Sequence, residues 1–332
     1  MRTDLETPWV EKYRPKDFNE IVSQDISTNN LQEFVKERFE MPHMIFTGPA
    51  GTGKTSTALI IADKLLKSDK YYRNVLELNA SDTVRMKFVR NELNNFVSQN
   101  MILNENEIKL VILDEADNIP KTVQQTLRRI IEGSPSNVKF ILLCNYINEI
   151  IDPIISRCAV FRFLKLPEEK IIERLKFIAK KEDINIPKDK EKEFYNVLYF
   201  ISAGDLRKAI NTLQMAVALK LLKDLDNNEI LKISGFVETP IMDKLVISLL
   251  NSDFKEVRNI FNSINNIDSR NFIRQLNTII LNMENIEKME LLKLRAFIGD
   301  IDYRISQRAD EKIQLTALLS EILLRIKGKD KN

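Results

Sequence analysis

Residues 48–55 read Gly-Pro-Ala-Gly-Thr-Gly-Lys-Thr, and no other stretch of the chain restricts its fold as tightly. Glycines let such a loop curl until several backbone N–H groups face one anion, and the positive end of the following helix strengthens that field. Gly48, Pro49, Ala50, Gly51, Thr52 and Gly53 would wrap nucleotide phosphates, with Lys54 reaching the β- and γ-phosphates. The Thr55 hydroxyl would ligate Mg²⁺, and Ser56 continues into the helix beside it. The motif is meaningful only between a strand and a helix. His43-Met44-Ile45-Phe46-Thr47 provides the apolar strand, and Thr55 to Leu66 provides the helix.

A second motif, Leu113-Asp114-Glu115-Ala116-Asp117, ends the apolar run that starts at Leu110. A continuous apolar run of this length reads as a buried parallel strand. Its carboxylates then fall at the C-terminal end of the strand, where open α/β sheets bind ligands. Asp114 would hold the metal through water, and Glu115 would orient and deprotonate the attacking water. An acidic pair alone is weak evidence; downstream of a phosphate loop and at a strand end it becomes specific.

Composition excludes several classes. Apolar residues make up 44% and charged residues 30% of 332, the profile of a globular chain with room for two or three domains. No apolar run approaches the ~18–20 residues of a membrane span, and the charged N-terminus lacks a signal-peptide core, so no membrane association is expected. The net charge is only +2, so a nucleic-acid site must come from local clustering. One histidine, His43, and two cysteines, Cys144 and Cys158, leave almost no means of building a zinc site or a disulfide framework.

Strand candidates alternate with helices at His43–Thr47, Val75–Leu78, Leu110–Leu113, Phe140–Cys144 and Val160–Phe163, which predicts an α/β core on a parallel sheet. Beyond Pro167 the strands stop. Helical stripes follow at Ile171, Ile172, Leu175 and Ile178, at Phe194, Val197, Leu198 and Ile201, and after Gly204 at Leu206, Ile210, Leu213 and Val217. Glu182–Glu193, with Pro187 inside, reads as a connector, and Ser234-Gly235 with Pro240 as a boundary. Two later stripes run through Phe272, Ile273, Leu276, Ile279, Ile280 and Met283, and through Ile313, Leu315, Leu318, Leu319, Ile322 and Ile326. The plan is an α/β core over 1–166, a small helical lid over 167–234 and an all-α domain over 235–332.

Four more features surround the loop. Trp9-Val10-Glu11-Lys12-Tyr13-Arg14-Pro15 combines aromatics, charge and a rigid proline, and could pack on a nucleotide base or simply anchor an N-terminal arm. Asn145 ends the strand Phe140–Cys144, where it could bond the γ-phosphate or the lytic water, or only cap a turn. Arg157 stands in a loop before a strand, a position that is often mere surface. Arg207 occupies the first turn of a helix, where a cation opposes the helix dipole; a nearby phosphate, or pairing with Asp205, would relieve the conflict.

In this order the motifs resemble the small subunits of replication factor C, the sliding-clamp loaders of archaea and eukaryotes within the AAA+ ATPases. The resemblance runs from Trp9 to about Lys327. It is densest at Trp9–Pro15, Pro42–Thr55, Glu77–Asp82, Leu113–Asp117, Gln124–Arg129, Cys144–Tyr146, Ser156-Arg157-Cys158 and Gly204–Asn211. It implies a ring motor of five subunits joined through C-terminal collars, each binding ATP and Mg²⁺ between its core and a neighbour. Val10, Tyr13, Arg14 and Pro15 would then border the nucleotide. Arg157 would be an arginine finger reaching the adjacent subunit's site, Arg207 the lid sensor and Asn145 the core sensor. Asn79 would restrain Glu115 until DNA arrives. The implied partners are a large subunit with further small-subunit copies or paralogues, the sliding clamp and primer-template DNA. The implied compartment is the cytoplasm of an archaeon or the nucleus of a eukaryote.

The chain departs from the family pattern at Thr83-Val84-Arg85-Met86, where Glu-Arg-Gly-Ile is usual, and at Ala50, where Pro is common. Arg90 holds the expected place of a DNA-phosphate contact, with Arg85 and Lys87 as side contributors. Three other readings compete: another AAA+ DNA-remodelling motor, a ring subunit that binds ATP without turnover, and a small-molecule kinase, which the long helical C-terminus and the finger-like Arg157 disfavour. The first would lack the N-terminal motif and the collar. The second usually lacks one of the residues that here stand as Lys54, Glu115, Arg157 and Arg207.

Overall fold

The structure, a computed structural model, describes residues 7–37, 40–66, 73–80, 92–97, 108–222, 225–264, 268–281 and 287–326. Arg85, Lys87 and Arg90 lie outside the described residues, as do Met283 and the 327–332 tail. The chain divides into two compact units, residues 1–185 with 198–214, and residues 186–197 with 215–332. The division falls inside the helices Glu191–Ser202 and Leu206–Ala218.

The first unit is built on five strands: β1 (His43–Thr47), β2 (Val75–Asn79), β3 (Lys109–Asp114), β4 (Val138–Cys144) and β5 (Cys158–Arg162). Their order in the sheet is β2-β3-β4-β1-β5, and every pairing is parallel. The three inner strands are buried nearly throughout, because helices cover both faces of a parallel sheet. Alternate residues divide between the two faces, as the period of two requires. Met44, Phe46, Leu110, Ile112, Ile141 and Leu143 pack into one apolar cluster. Ile45, Val111, Leu113, Phe140 and Leu142 pack into the other. Each such side chain contributes roughly 1.5–3 kcal/mol when fully buried.

β5 starts two residues before the sequence places it and ends one residue sooner. Its register against β1, from His43↔Cys158 to Thr47↔Arg162, sets those limits, and partner length is invisible to composition. The phosphate loop and Asn145 follow the C-terminal ends of the adjacent strands β1 and β4, and Asp114 closes β3. His43 is a packing residue: its Nδ1 accepts from the Phe140 backbone N–H at 3.2 Å, and burial pushes its pKa down to about 4.

The second unit is helical over its described residues. The helices Thr239–Leu250, Phe254–Ser263, Ser269–Leu281, Lys288–Ser306 and Glu311–Ile326 enclose one core that includes Leu245, Phe272, Leu276, Leu294, Ile301 and Leu318. Pro240 sits in the first turn of its helix, where its missing N–H has no partner to lose. Gln275 is buried and clamps one residue from both sides, donating to the Val237 carbonyl at 2.8 Å and accepting from the Val237 N–H at 3.1 Å. Ile313 does not join its stripe: it is 64% exposed, whereas Leu315, Leu318, Leu319 and Ile322 are buried. Among the described residues no helix is long and apolar enough to cross a membrane.

Candidate functional site

The loop after β1 turns through Gly48 (φ +147°), Gly51 (φ +70°) and Gly53 (φ +98°) before the helix Lys54–Leu65 begins. A Cβ at Gly48 would meet the Phe163 carbonyl oxygen at 2.0 Å, and one at Gly51 would meet the Asp205 carboxylate at 1.8 Å. Thr52 Oγ donates to the Pro49 carbonyl at 2.8 Å, which tightens the loop. Lys54 is buried, and its ammonium donates to the carbonyls of Gly48 (2.6 Å) and Pro49 (2.8 Å) and to Asn145 Oδ1 (3.0 Å). Burial lowers its pKa, an effect that the nearby Asp114 carboxylate opposes. An anion at the loop would favour the charged ammonium further.

Thr55 joins the two motifs. Its hydroxyl donates to Asp114 Oδ2 at 3.0 Å and accepts from Arg207 Nη2 at 3.1 Å. The other Asp114 oxygen accepts from the Glu115 backbone N–H at 2.8 Å. Glu115 adopts a left-handed backbone, φ 55° and ψ 39°, a strained conformation for a non-glycine residue. That conformation ends the strand at once and starts a 3₁₀ turn. The Glu115 carboxylate accepts from Asn118 Nδ2 at 3.2 Å. Asn79 pairs in register with Asp114 across β2 and β3.

A cleft adjoins the loop. Val10, Tyr13, Arg14 and Pro15 line one side of it, and Gly51, Thr52, Gly53, Ser56 and Arg207 line another. Trp9, Pro49 and Ala50 are not among its walls. The arm is tied down at several points. Tyr13 Oη and Lys12 Nζ both donate to Glu182, at 2.5 and 2.7 Å, and Arg174 donates to the Tyr13 carbonyl at 2.9 Å. Burial and the Glu182 bond push the Tyr13 phenol up to about 12. Arg14 gives two nitrogens to Glu11, while its Nη1 is buried without a partner among the described residues.

Several of these residues carry no signal in the sequence reading. Ile21, Val22, Leu166, Arg174, Leu206 and Ile210 also wall the cleft. Of these, only Leu206 and Ile210 share a helical stripe that could have marked them. Asp117, unassigned within its motif, accepts from the backbone N–H groups of Asn145 (2.9 Å) and Tyr146 (3.1 Å) and so fixes the turn after β4. The third acid of the motif was the available clue. Arg207 reaches Thr55; the Asp205 carboxylate instead caps the helix by accepting from the Lys208 N–H at 3.1 Å.

Arg157 lies away from these groups. Its guanidinium donates to the Pro153 carbonyl and pairs with Glu132 at 2.5 Å. Among the described residues no cluster of three or more His, Cys, Asp or Glu side chains forms a metal cage. The hydroxyl–carboxylate pair of Thr55 and Asp114 is an all-oxygen donor set beside an anion loop. That suits Mg²⁺, which keeps several waters and takes few protein ligands.

Comparison with known proteins places both units. Residues 44–166 match the ATPase family associated with various cellular activities (AAA), and residues 237–321 match the replication factor C C-terminal domain. Replication factor C small subunit 1 of Pyrobaculum aerophilum is 42% identical over 320 residues, covering 95% of this chain and 93% of that protein. The replication factor C small subunit of Aeropyrum pernix is 38% identical, covering 96% and 97%, and that of Methanosarcina barkeri is 35% identical, covering 97% and 98%. Among solved structures, the Thermotoga maritima RuvB K64R mutant aligns with a TM-score of 0.53 at 18% identity, covering 72% of this chain and 80% of that one. That likeness concerns the fold alone. With both units matched and relatives aligned over nearly their whole length, the chain belongs to the replication factor C small-subunit family, on an AAA+ ATPase fold.

Proposed function

We propose that the chain works as an ATP-driven subunit of a sliding-clamp loader in DNA replication, hydrolysing ATP with Mg²⁺ at the interfaces of a ring. Family membership carries the ATPase activity, the nucleotide binding and the association with other replication factor C subunits. The finer reading rests on one observation, the continuous chain of hydrogen bonds from Arg207 through Thr55 to Asp114. It ties the first turn of the helix Leu206–Ala218 to the phosphate loop and to the end of β3.

The residues divide the work by chemistry. Lys54 and the loop amides hold the phosphates, and the cleft walls Val10, Tyr13 and Pro15 receive the base. Mg²⁺, when bound, neutralises phosphate charge, and Thr55 and Asp114 are the residues that would hold it. Glu115 takes the proton of the attacking water from its position beside Asp114. Asn145, fixed by Asp117 and bonded to Lys54, senses the terminal phosphate, and Arg207 does so from the helix side. Arg157 projects to a neighbour's site, and Arg85, Lys87 and Arg90 contact DNA phosphates. The closely similar relatives are archaeal, so the proposed compartment is the cytoplasm.

The complex should hydrolyse ATP faster with primer-template DNA, and faster again when the ring clamp is added. Sequence preference should be negligible and salt sensitivity high, since backbone contacts release counterions. A strong preference for one sequence at constant salt would overturn the clamp-loading reading.

A further inference from the structure

Arg157 does not hang free in the single subunit. Its Nη1 donates to the Pro153 carbonyl at 2.6 Å and to Ser156 Oγ at 3.2 Å, and its Nη2 meets Glu132 Oε1 at 2.5 Å. The same Glu132 oxygen also accepts from Arg128 Nε at 2.8 Å. One carboxylate therefore serves two guanidinium groups. Glu132 sits near the end of the helix Lys121–Gly133, which buries Gln124, Leu127 and Ile131, so its backbone is fixed while its side chain faces solvent. Arg128, followed by Arg157, holds its carboxyl below the usual carboxylate range.

We propose that Glu132 is a positioning residue that parks the Arg157 guanidinium on its own subunit until a more highly charged anion on a neighbour competes for it. The inference rests on the reading that Arg157 acts in trans. Three facts carry it. The side chains of Arg157, Glu132 and Arg128 are 37%, 33% and 38% exposed, so the pairings are screened and readily exchanged. Glu132 divides its charge between two arginines, and so grips each less firmly than a dedicated partner would. A terminal phosphate carries more charge and offers bidentate geometry, to which a guanidinium binds more strongly than to a shared carboxylate. The exchange needs only side-chain rotation, because Cys158, the next residue, is already locked into the β5–β1 pairing.

The test uses the assembled complex with its partner subunits. Glu132→Gln keeps the size of the side chain and removes its charge. Without DNA or clamp, kcat for ATP should rise by about two- to fivefold, the range that exposed ion pairs support, with KM unchanged. The fully DNA-stimulated rate should stay constant, so the stimulation ratio falls. Glu132→Asp should lie closer to the parent. In an Arg157→Ala background, Glu132→Gln should have no effect. If Arg157→Ala by itself leaves turnover of the assembly unchanged, the trans reading fails and the parking role fails with it. If Arg157→Ala abolishes turnover but Glu132→Gln leaves the unstimulated kcat unchanged or lowers it, the parking role alone is overturned.

Discussion

Lys54 Nζ and Asn145 Oδ1 meet at 3.0 Å although they stand 91 positions apart in the chain. The contact bridges the ends of β1 and β4, so the residue proposed to grip phosphate and the residue proposed to sense it share one bond. Lys54→Ala should remove the charge from the loop and weaken ATP binding at least tenfold, since hydrogen bonds to charged groups contribute about 1.5–3 kcal/mol. Asn145→Ala should leave affinity within a few-fold of the parent and reduce turnover. Calorimetric titration of the two variants separates the roles, and equal losses of affinity in both would refute the division.

Glu115→Gln should bind ATP normally and lose turnover by about 10²–10⁴-fold, the usual contribution of a positioned general base. A Gln side chain keeps the length of Glu115 and an oxygen that can still accept from Asn118, so the variant should keep its melting temperature. Parental hydrolysis in Glu115→Gln would remove the residue from the chemistry.

Acidification should destabilise the first unit through His43. Its pKa of about 4 in the folded chain lies below the ordinary value of 6.5, so between these values the unfolded state binds the extra proton. Stability therefore rises with pH across that window and falls as pH drops through it, by about 2 kcal/mol from pH 7 to pH 5. His43→Gln should flatten this part of the pH profile, as read from urea midpoints; an unchanged slope would assign the acid sensitivity to other groups.

Gln275→Leu should destabilise the helical unit by about 2–4 kcal/mol, because the Val237 N–H and C=O would both stay buried without partners. Thermal melts of the chain should show the loss in a transition that is insensitive to ATP. A shift below the resolution of the melt would mean that Val237 finds other partners.

Contiguous chemistry was legible in the sequence. The phosphate loop, the Asp114-Glu115 pair and the inner strands are local patterns, and the structure brings the first two together at the C-terminal ends of those strands. Contacts across long separations were not, because neither residue of a pair marks the other: Arg207 lies 152 positions from Thr55, and Tyr13 lies 169 from Glu182. Ile313 shows a different failure. It stands two residues before Leu315, about 200° around a helix, so the two cannot share a buried face. Counting apolar residues without their angles placed it in the core. The limits of β5 were lost because pairing, not hydrophobicity, determines where an edge strand begins.

Gly51 has a second function besides turning the loop. A side chain there would strike both the Asp205 carboxylate and the Leu206 backbone nitrogen, at 1.8 and 2.9 Å. Swinging the Asp205 carboxylate aside would break its cap on the helix behind it. The bare α-carbon is therefore a mechanical stop, setting how near the Gly204–Leu206 segment comes to the loop. Even one added methyl group would force that segment away from the loop, making a single hydrogen atom the gauge of the gap between them.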